Sequence, residues 1–218
     1  MDADFWHERW QKGEIGFHQA QGNPLMQHFW PQMKAPPGAT VLVPLCGKSP
    51  DLLWLRSRGH RVVGIELSDI AVEAFFAEHE VQYERSAWSG GARYQADGLE
   101  IIQGDFFALP EGEFSEIEWV YDRAAVIALP SQLRTRYAEH LLALCPALGG
   151  MLIIALDYEP DPQERPPFSV TEDELRRLYG DEFRIECWFR EDALADNPNL
   201  QKRGLTALHE AVYALERK

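Results

Sequence analysis

The sequence predicts an α/β fold with a mostly parallel sheet, helices on both of its faces and an antiparallel hairpin at the C-terminus. Three observations carry this. Short apolar, β-branched runs alternate with helical stretches from residue 40 onward, the pattern of parallel strands joined by crossovers. Residues 40–43 and 151–156 are apolar or β-branched throughout, as strands covered on both faces must be. The last two, near residues 183–189 and 208–215, have no full helix between them, so they close the sheet as an antiparallel pair. In such a fold the crossovers are right-handed and ligands collect at the carboxyl ends of the strands.

The first 37 residues stand apart. They hold Trp6, Trp10 and Trp30 with Phe5, Phe17 and Phe29, and run into Pro36-Pro37-Gly38, which punctuates the chain. The expected organisation is one domain over residues 1–218, with residues 1–37 an aromatic N-terminal extension. Trp6 and Trp10 lie four apart and share one helix face. They form either a lid over a ligand or a stripe packed on the sheet, and aromatic stripes are usually core.

The alternation then begins. Thr40-Val41-Leu42-Val43 reads as a buried strand. Residues 51–58 form a helix, apolar at Leu52, Leu53 and Leu55 and stopped by Gly59. Residues 61–66 make the second strand, and Ser68 caps a helix through Glu78 that turns Ala71, Phe75 and Phe76 inward. Asp97-Gly98, between Tyr94-Gln95 and residues 99–102, marks a hairpin. Residues 117–121 form a further strand, Ser131 opens a helix to about Leu144, and Gly149-Gly150 turns the chain into the run 151–156.

Composition limits the partners. The chain has 218 residues, 45% of them hydrophobic, enough for the core of a single domain. Twenty-one Lys and Arg face 35 Asp and Glu, a formal charge of −14, and no basic face appears, so nucleic acid is not an expected partner. No apolar run approaches the ~20 residues of a membrane span. The opening Met1-Asp2-Ala3-Asp4 is acidic and unlike a secretory signal, so a cytoplasmic protein is expected. Cys46, Cys145 and Cys187 lie too far apart for a disulfide framework or a metal motif. Each reads as a small buried apolar residue in a reducing compartment, and no metal site is expected.

The candidate site residues lie at the strand ends. The first strand runs into Pro44-Leu45-Cys46-Gly47-Lys48-Ser49-Pro50-Asp51, which contains one glycine. A dinucleotide pyrophosphate needs several, whereas S-adenosylmethionine has no phosphate. Glu66 ends the second strand nineteen positions after Gly47, where an acidic residue grips ribose hydroxyls through charge-assisted hydrogen bonds. The competing reading is an exposed carboxylate beside Ser68. Gly104-Asp105 follows the third-strand region, where Asp105 either accepts from an adenine amino group or simply makes a turn. Tyr121-Asp122-Arg123 ends the next strand. Arg123 brings a forked cation that holds a carboxylate or an anionic acceptor, or else pairs with Asp122 or another acid.

Together these strings resemble a known family. Phe5-Trp6-x-x-Arg9-Trp10-x-x-Gly13-x-x-Gly16-Phe17-His18-Gln19 looks like the N-terminal signature of thiopurine S-methyltransferases. Val43-Pro44-Leu45-Cys46-Gly47-Lys48-Ser49-x-Asp51-Leu52 resembles their cofactor loop. Gly64-Ile65-Glu66-Leu67-Ser68 and Tyr121-Asp122-Arg123-Ala124-Ala125 match two further blocks, and the similarity spans nearly the whole chain. The compact length resembles the bacterial branch, which implies selenium and tellurium compounds as further acceptors.

The resemblance implies a Rossmann-like class I methyltransferase that uses S-adenosylmethionine and methylates the sulfur of aromatic or heterocyclic thiols such as thiopurines. Its cofactor site maps onto Trp10, Leu45, Glu66 and Arg123, with Gly104 and Asp105 near the adenine. Residues 1–37 then become a lid, Phe17 lines the acceptor pocket, and the Pro-rich stretch 160–169 flanks it. Arg123 serves as the catalytic candidate, toward the acceptor or the donor's carboxylate. A small-molecule thiol is the expected partner and a monomer the expected state. A thiolate needs no strong general base. Two rival readings are a nicotinamide-dependent oxidoreductase, which the single-glycine turn disfavours, and a non-enzymatic oxyanion-binding protein, which the net charge disfavours.

Overall fold

A computed structural model describes residues 3–88, 90–159 and 165–218. Among them the elements run, in chain order, α1 (Ala3–Lys12), α2 (Pro24–Phe29), β1 (Thr40–Pro44), α3 (Asp51–Ser57), β2 (Arg61–Glu66), α4 (Asp69–Glu78), β3 (Glu84–Trp88), β4 (Gly91–Ala96) and β5 (Leu99–Gln103). The second half comprises β6 (Ile117–Arg123), α5 (Ser131–Leu144), β7 (Gly150–Asp157), α6 (Glu172–Tyr179), β8 (Phe183–Asp192), α7 (Pro198–Lys202) and β9 (His209–Arg217).

The strands form one sheet in the order β3-β4-β5-β2-β1-β6-β7-β9-β8. The five central strands, β5 to β7 in that order, are mutually parallel. Antiparallel pairs extend both edges: β3 and β4 beside β5, and β9 and β8 beside β7. From β1 the chain winds first toward β5 and later returns to β6. The switch point therefore lies between β1 and β6, and a crevice opens at their carboxyl ends.

Side-chain alternation sends each central strand into two cores. Leu42, Val63, Ile65 and Ile153 pack with Tyr137 and Leu141 of α5 on one face. Val41, Val43, Leu152 and Ile154 pack with Leu52, Leu55, Phe75 and Phe76 of α3 and α4 on the other. Met26, Phe29, Trp30 and Met33 join this second core. The expected cap at Ser68 is present, its Oγ accepting from Ala71 N, and Thr171 Oγ1 likewise accepts from Glu174 N. No helix among the described residues is long and apolar enough to cross a membrane.

The structure departs from the sequence reading in three places. Cys46 and Cys145 are buried as expected, but Cys187 is exposed, because β8 is an edge strand with solvent along one side. The extension divides: among residues 3–21 Trp10 alone is buried, whereas the stretch from Gly22 to Met33 contributes six buried residues. Its second half is therefore core. Strand β3 and helices α2, α6 and α7 were not foreseen. Of the Pro-rich stretch 160–169, residues 160–164 lie outside the described residues, while Phe168 N donates to Ile127 O at 2.6 Å and Tyr158 N to Ser169 Oγ at 2.9 Å.

Candidate active site

Four strand ends stand side by side at the switch point: β5 with Gly104-Asp105, β2 with Glu66, β1 with residues 45–50, and β6 with Arg123. The β1 loop is shaped by two left-handed residues, Leu45 at φ +49° and Gly47 at φ +55°. Ala124, after β6, has φ +66°. A non-glycine residue in this region costs on the order of 1–3 kcal/mol and tends to mark a functional turn. Leu45 and Ala124 both line one cavity.

Glu66 fixes the loop. Its Oε2 accepts from Gly47 N at 2.8 Å and its Oε1 from Ser68 N at 2.8 Å. It is 6% exposed, so the exposed-carboxylate reading does not hold. Burial pushes its carboxyl above the ordinary value, and the backbone amides oppose that rise.

Arg123 donates from Nη1 to the carbonyl of Phe17 at 2.9 Å. It does not pair with Asp122, which faces the opposite side of β6 and accepts from Val126 N at 3.0 Å and Tyr137 Oη at 2.8 Å. Burial raises the Asp122 carboxyl to about 6. Phe17 in turn sits edge-on to Trp6 and Trp10, with ring centroids 5.7 Å apart in both pairs. Trp10 lies on Gly47, where a Cβ would come within 3.2 Å of its Cζ2. Only glycine leaves the indole that room.

The cavity is lined by Trp10, Phe17, His18 and Gln19 from the extension, by residues of the β1 strand end and loop, by Tyr121 and Arg123 of β6, and by Ala124 just after it. The structure thus brings together Trp10, Phe17, Leu45 and Arg123. Glu66 stands behind the loop. Gly104 lies one strand further along, its N–H donating to Glu66 O at 2.9 Å. Asp105 is exposed, and its Oδ1 accepts from Phe107 N at 3.0 Å to cap a short 3-10 turn, as the turn reading had it. Neither lines the cavity. The sequence reading missed Lys48, which forms a 2.5 Å ion pair with Glu78, and Asp51. Burial, then Lys48, holds the His18 ring below its usual value. The Cys46 thiol, buried beside Glu66, is pushed well above the usual range and is no nucleophile.

The cavity offers about 40 Å³, room for a few water molecules, whereas ligand pockets span roughly 300–1,000 Å³. A larger open groove of about 770 Å³ between α4 and β3 meets no parallel strand end, and the chemistry does not gather there.

A family description, thiopurine S-methyltransferase, matches residues 1–218. The chain belongs to that family. A thiopurine S-methyltransferase of Pseudomonas fluorescens is 46% identical over 215 residues, covering 99% of each chain. One from Pseudomonas syringae pv. tomato is 47% identical over 218 residues, covering 100% of this chain and 99% of the other. Among solved structures, a Burkholderia thailandensis 1,6-didemethyltoxoflavin-N1-methyltransferase aligns with TM-score 0.66 and 17% identity over 99% of this chain and 87% of that one. An S-adenosylmethionine-dependent methyltransferase of Anabaena variabilis gives TM-score 0.67 and 15% identity over 99% and 95%. These two show the fold. Family membership makes the chain an S-adenosylmethionine-dependent methyltransferase and sets aside the oxidoreductase and oxyanion-binding readings.

The residues fit that cofactor. A carboxylate ends β2, a single-glycine loop follows β1 and a guanidinium ends β6, an acceptor for hydroxyls and a donor for an anionic group at neighbouring strand ends.

Proposed function

We propose that the enzyme methylates the sulfur of aromatic or heterocyclic thiols, thiopurines among them, and acts as a monomer in the cytoplasm. The observation that carries the reading is the meeting of Trp10, Phe17 and Arg123 over the β1 loop. Bound S-adenosylmethionine supplies a methyl group on a sulfonium, already activated toward displacement.

In this reading Glu66 receives the ribose hydroxyls, Leu45 and the loop backbone hold the body of the cofactor, and Trp10 covers it. Gly104 and Asp105 border the adenine. Phe17 packs against the acceptor ring. Arg123 exchanges its bond to the Phe17 carbonyl for an anion, either the acceptor or the donor's carboxylate. The chain's contribution is alignment and exclusion of water. Residues 3–21 act as the lid of a single domain, because a cavity of about 40 Å³ admits a ligand only if that segment moves.

The test is turnover of S-adenosylmethionine to S-adenosylhomocysteine with a panel of aromatic thiols, thiopurines, selenite and tellurite. Methylated product with the thiols upholds the reading. Turnover with amine or carboxylate acceptors and none with thiols defeats it.

A further inference from the structure

Asp51 opens α3 directly behind the β1 loop and is 1% exposed. Its Oδ1 accepts from the backbone N–H of Asn23 at 2.8 Å, and its Oδ2 from the Tyr121 hydroxyl at 2.9 Å. Its own N–H donates to Ser49 Oγ at 3.2 Å. The carboxyl group thus joins the N-terminal extension to the strand that carries Arg123, and the backbone of the same residue ties both to the loop.

The chain around this contact leaves no slack. A Cβ on Gly22 would lie 2.7 Å from Asp51 Oδ1, and Gly22 has φ +76°, so both space and backbone require glycine. Asn23, next to it, accepts from Met26 N at 3.0 Å to cap α2 and donates to Gln19 Oε1 at 3.1 Å. The contact also sits on the boundary in packing. Before Gly22, Trp10 is the one buried side chain among the described residues, and after it Met26, Trp30 and Met33 are core.

We propose that Asp51 is a positioning residue for methyl transfer: it clamps Asn23 to the β1 loop and to Tyr121, so that residues 3–21 pivot about a fixed point and return Phe17 and His18 to one place over the cavity. The proposal rests on the reading of that cavity as the cofactor and acceptor site. A segment with one buried side chain opens readily, and what makes its closure reproducible is the fixed end of the hinge. Removing the carboxyl group leaves two buried donors unpaired. An asparagine at this position still accepts from Asn23 N–H while its amide donates to the Tyr121 oxygen, so it preserves both links where alanine preserves neither.

The test uses the two tryptic sites of α1, Arg9 and Lys12, together with steady-state kinetics and melting. Saturating S-adenosylhomocysteine should slow cleavage of the wild-type enzyme at both sites. In Asp51→Ala that protection should fall roughly tenfold, with a similar fall in kcat, while the ligand still raises Tm. Asp51→Asn should recover part of the loss, and Gly22→Ala, which strains the clamp from the other side, should repeat it. Full protection and unchanged kcat in Asp51→Ala would overturn the proposal. So would weaker ligand affinity with full protection at saturation, which marks a direct contact instead. If both Asp51→Ala and Gly22→Ala fail to fold, the contact is core support and the proposal fails. A wild-type enzyme that gains neither protection nor Tm from the ligand would sink the site reading itself.

Discussion

Glu66 spends both carboxylate oxygens on backbone amides, those of Gly47 and Ser68. A ribose must therefore use the remaining lone pairs of a group already in the fold. Glu66→Gln keeps one acceptor and turns an NH2 toward the other amide. It should weaken S-adenosylmethionine binding about tenfold or more and also lower stability by about 1–2 kcal/mol. Calorimetry and chemical denaturation read the two losses separately, and unaltered affinity would remove Glu66 from the site. Asp122 lends itself to a pH test. Its carboxyl is raised by burial from 3.8 to about 6, so its favourable contribution is complete below the unfolded value and is lost as pH rises through about 6. Asp122→Asn lacks this titration. Measured by denaturation, its stability relative to wild type should improve between pH 4 and pH 8 by up to roughly 3 kcal/mol, and a flat difference would show that the carboxyl does not titrate there. Glu66 was legible because the strand-end spacing is a property of sequence. The left-handed Leu45 and Ala124 were not, because nothing in a leucine or an alanine announces positive φ.

At the scale of elements, the extension is two structures joined at Gly22. Deleting residues 1–17 removes Trp10, the one buried side chain among the described residues there, and should leave a sheet that melts within a few degrees of the full chain while turnover collapses. Deleting residues 1–33 also removes Met26, Phe29, Trp30 and Met33, each 9% exposed or less. Burial of such side chains is worth roughly 1.5–3 kcal/mol apiece, comparable in sum with a typical domain's whole stability, so this truncation should not fold. Circular dichroism melts of the two decide it, and an unfolded 1–17 deletion would make the first half core as well. The sequence could not show this division, since tryptophan and phenylalanine are spread evenly across it. Strand β3 escaped for another reason. Glu84 to Ala87 are all exposed, so the edge strand carries no apolar alternation to detect. Helix α6 shows only Leu175 and Tyr179 to the core, too few within eight residues to register as a period. The central strands were legible because they are largely buried on both faces and so read as short apolar runs, β1 and β7 above all.

For the molecule as a whole, pH acts on the fold and on the rate through different groups. His60 is buried, its Nε2 bonded to Trp30 Nε1 at 3.0 Å, and burial lowers its basicity. Its stabilising contribution is present above the unfolded value of about 6.5 and is lost as pH falls. Asp122 and Glu66 pull the other way, so the rate must be read within the window where neither trend unfolds the chain. Inside it, the enzyme offers one neutral base at the cavity, His18, whose ring lies below its ordinary value. If His18 took the acceptor's proton, every thiol would show a rising limb of rate pinned at one position below about pH 6.5. If the acceptor reacts as its own thiolate, the limb should move with the pKa of each thiol in a graded aromatic series. The second outcome is expected, because burial first, then Lys48 and Arg123, disfavour a protonated His18. Arg123→Met should then move the limb to higher pH if the guanidinium faces the sulfur, since a lost cation no longer favours the thiolate. Arg123→Lys should move it less, keeping the charge without the fork. Unmoved limbs with weakened S-adenosylmethionine binding in both variants would assign Arg123 to the donor's carboxylate. A limb fixed across all acceptors would reject the thiolate mechanism, and His18→Gln would then have to abolish it.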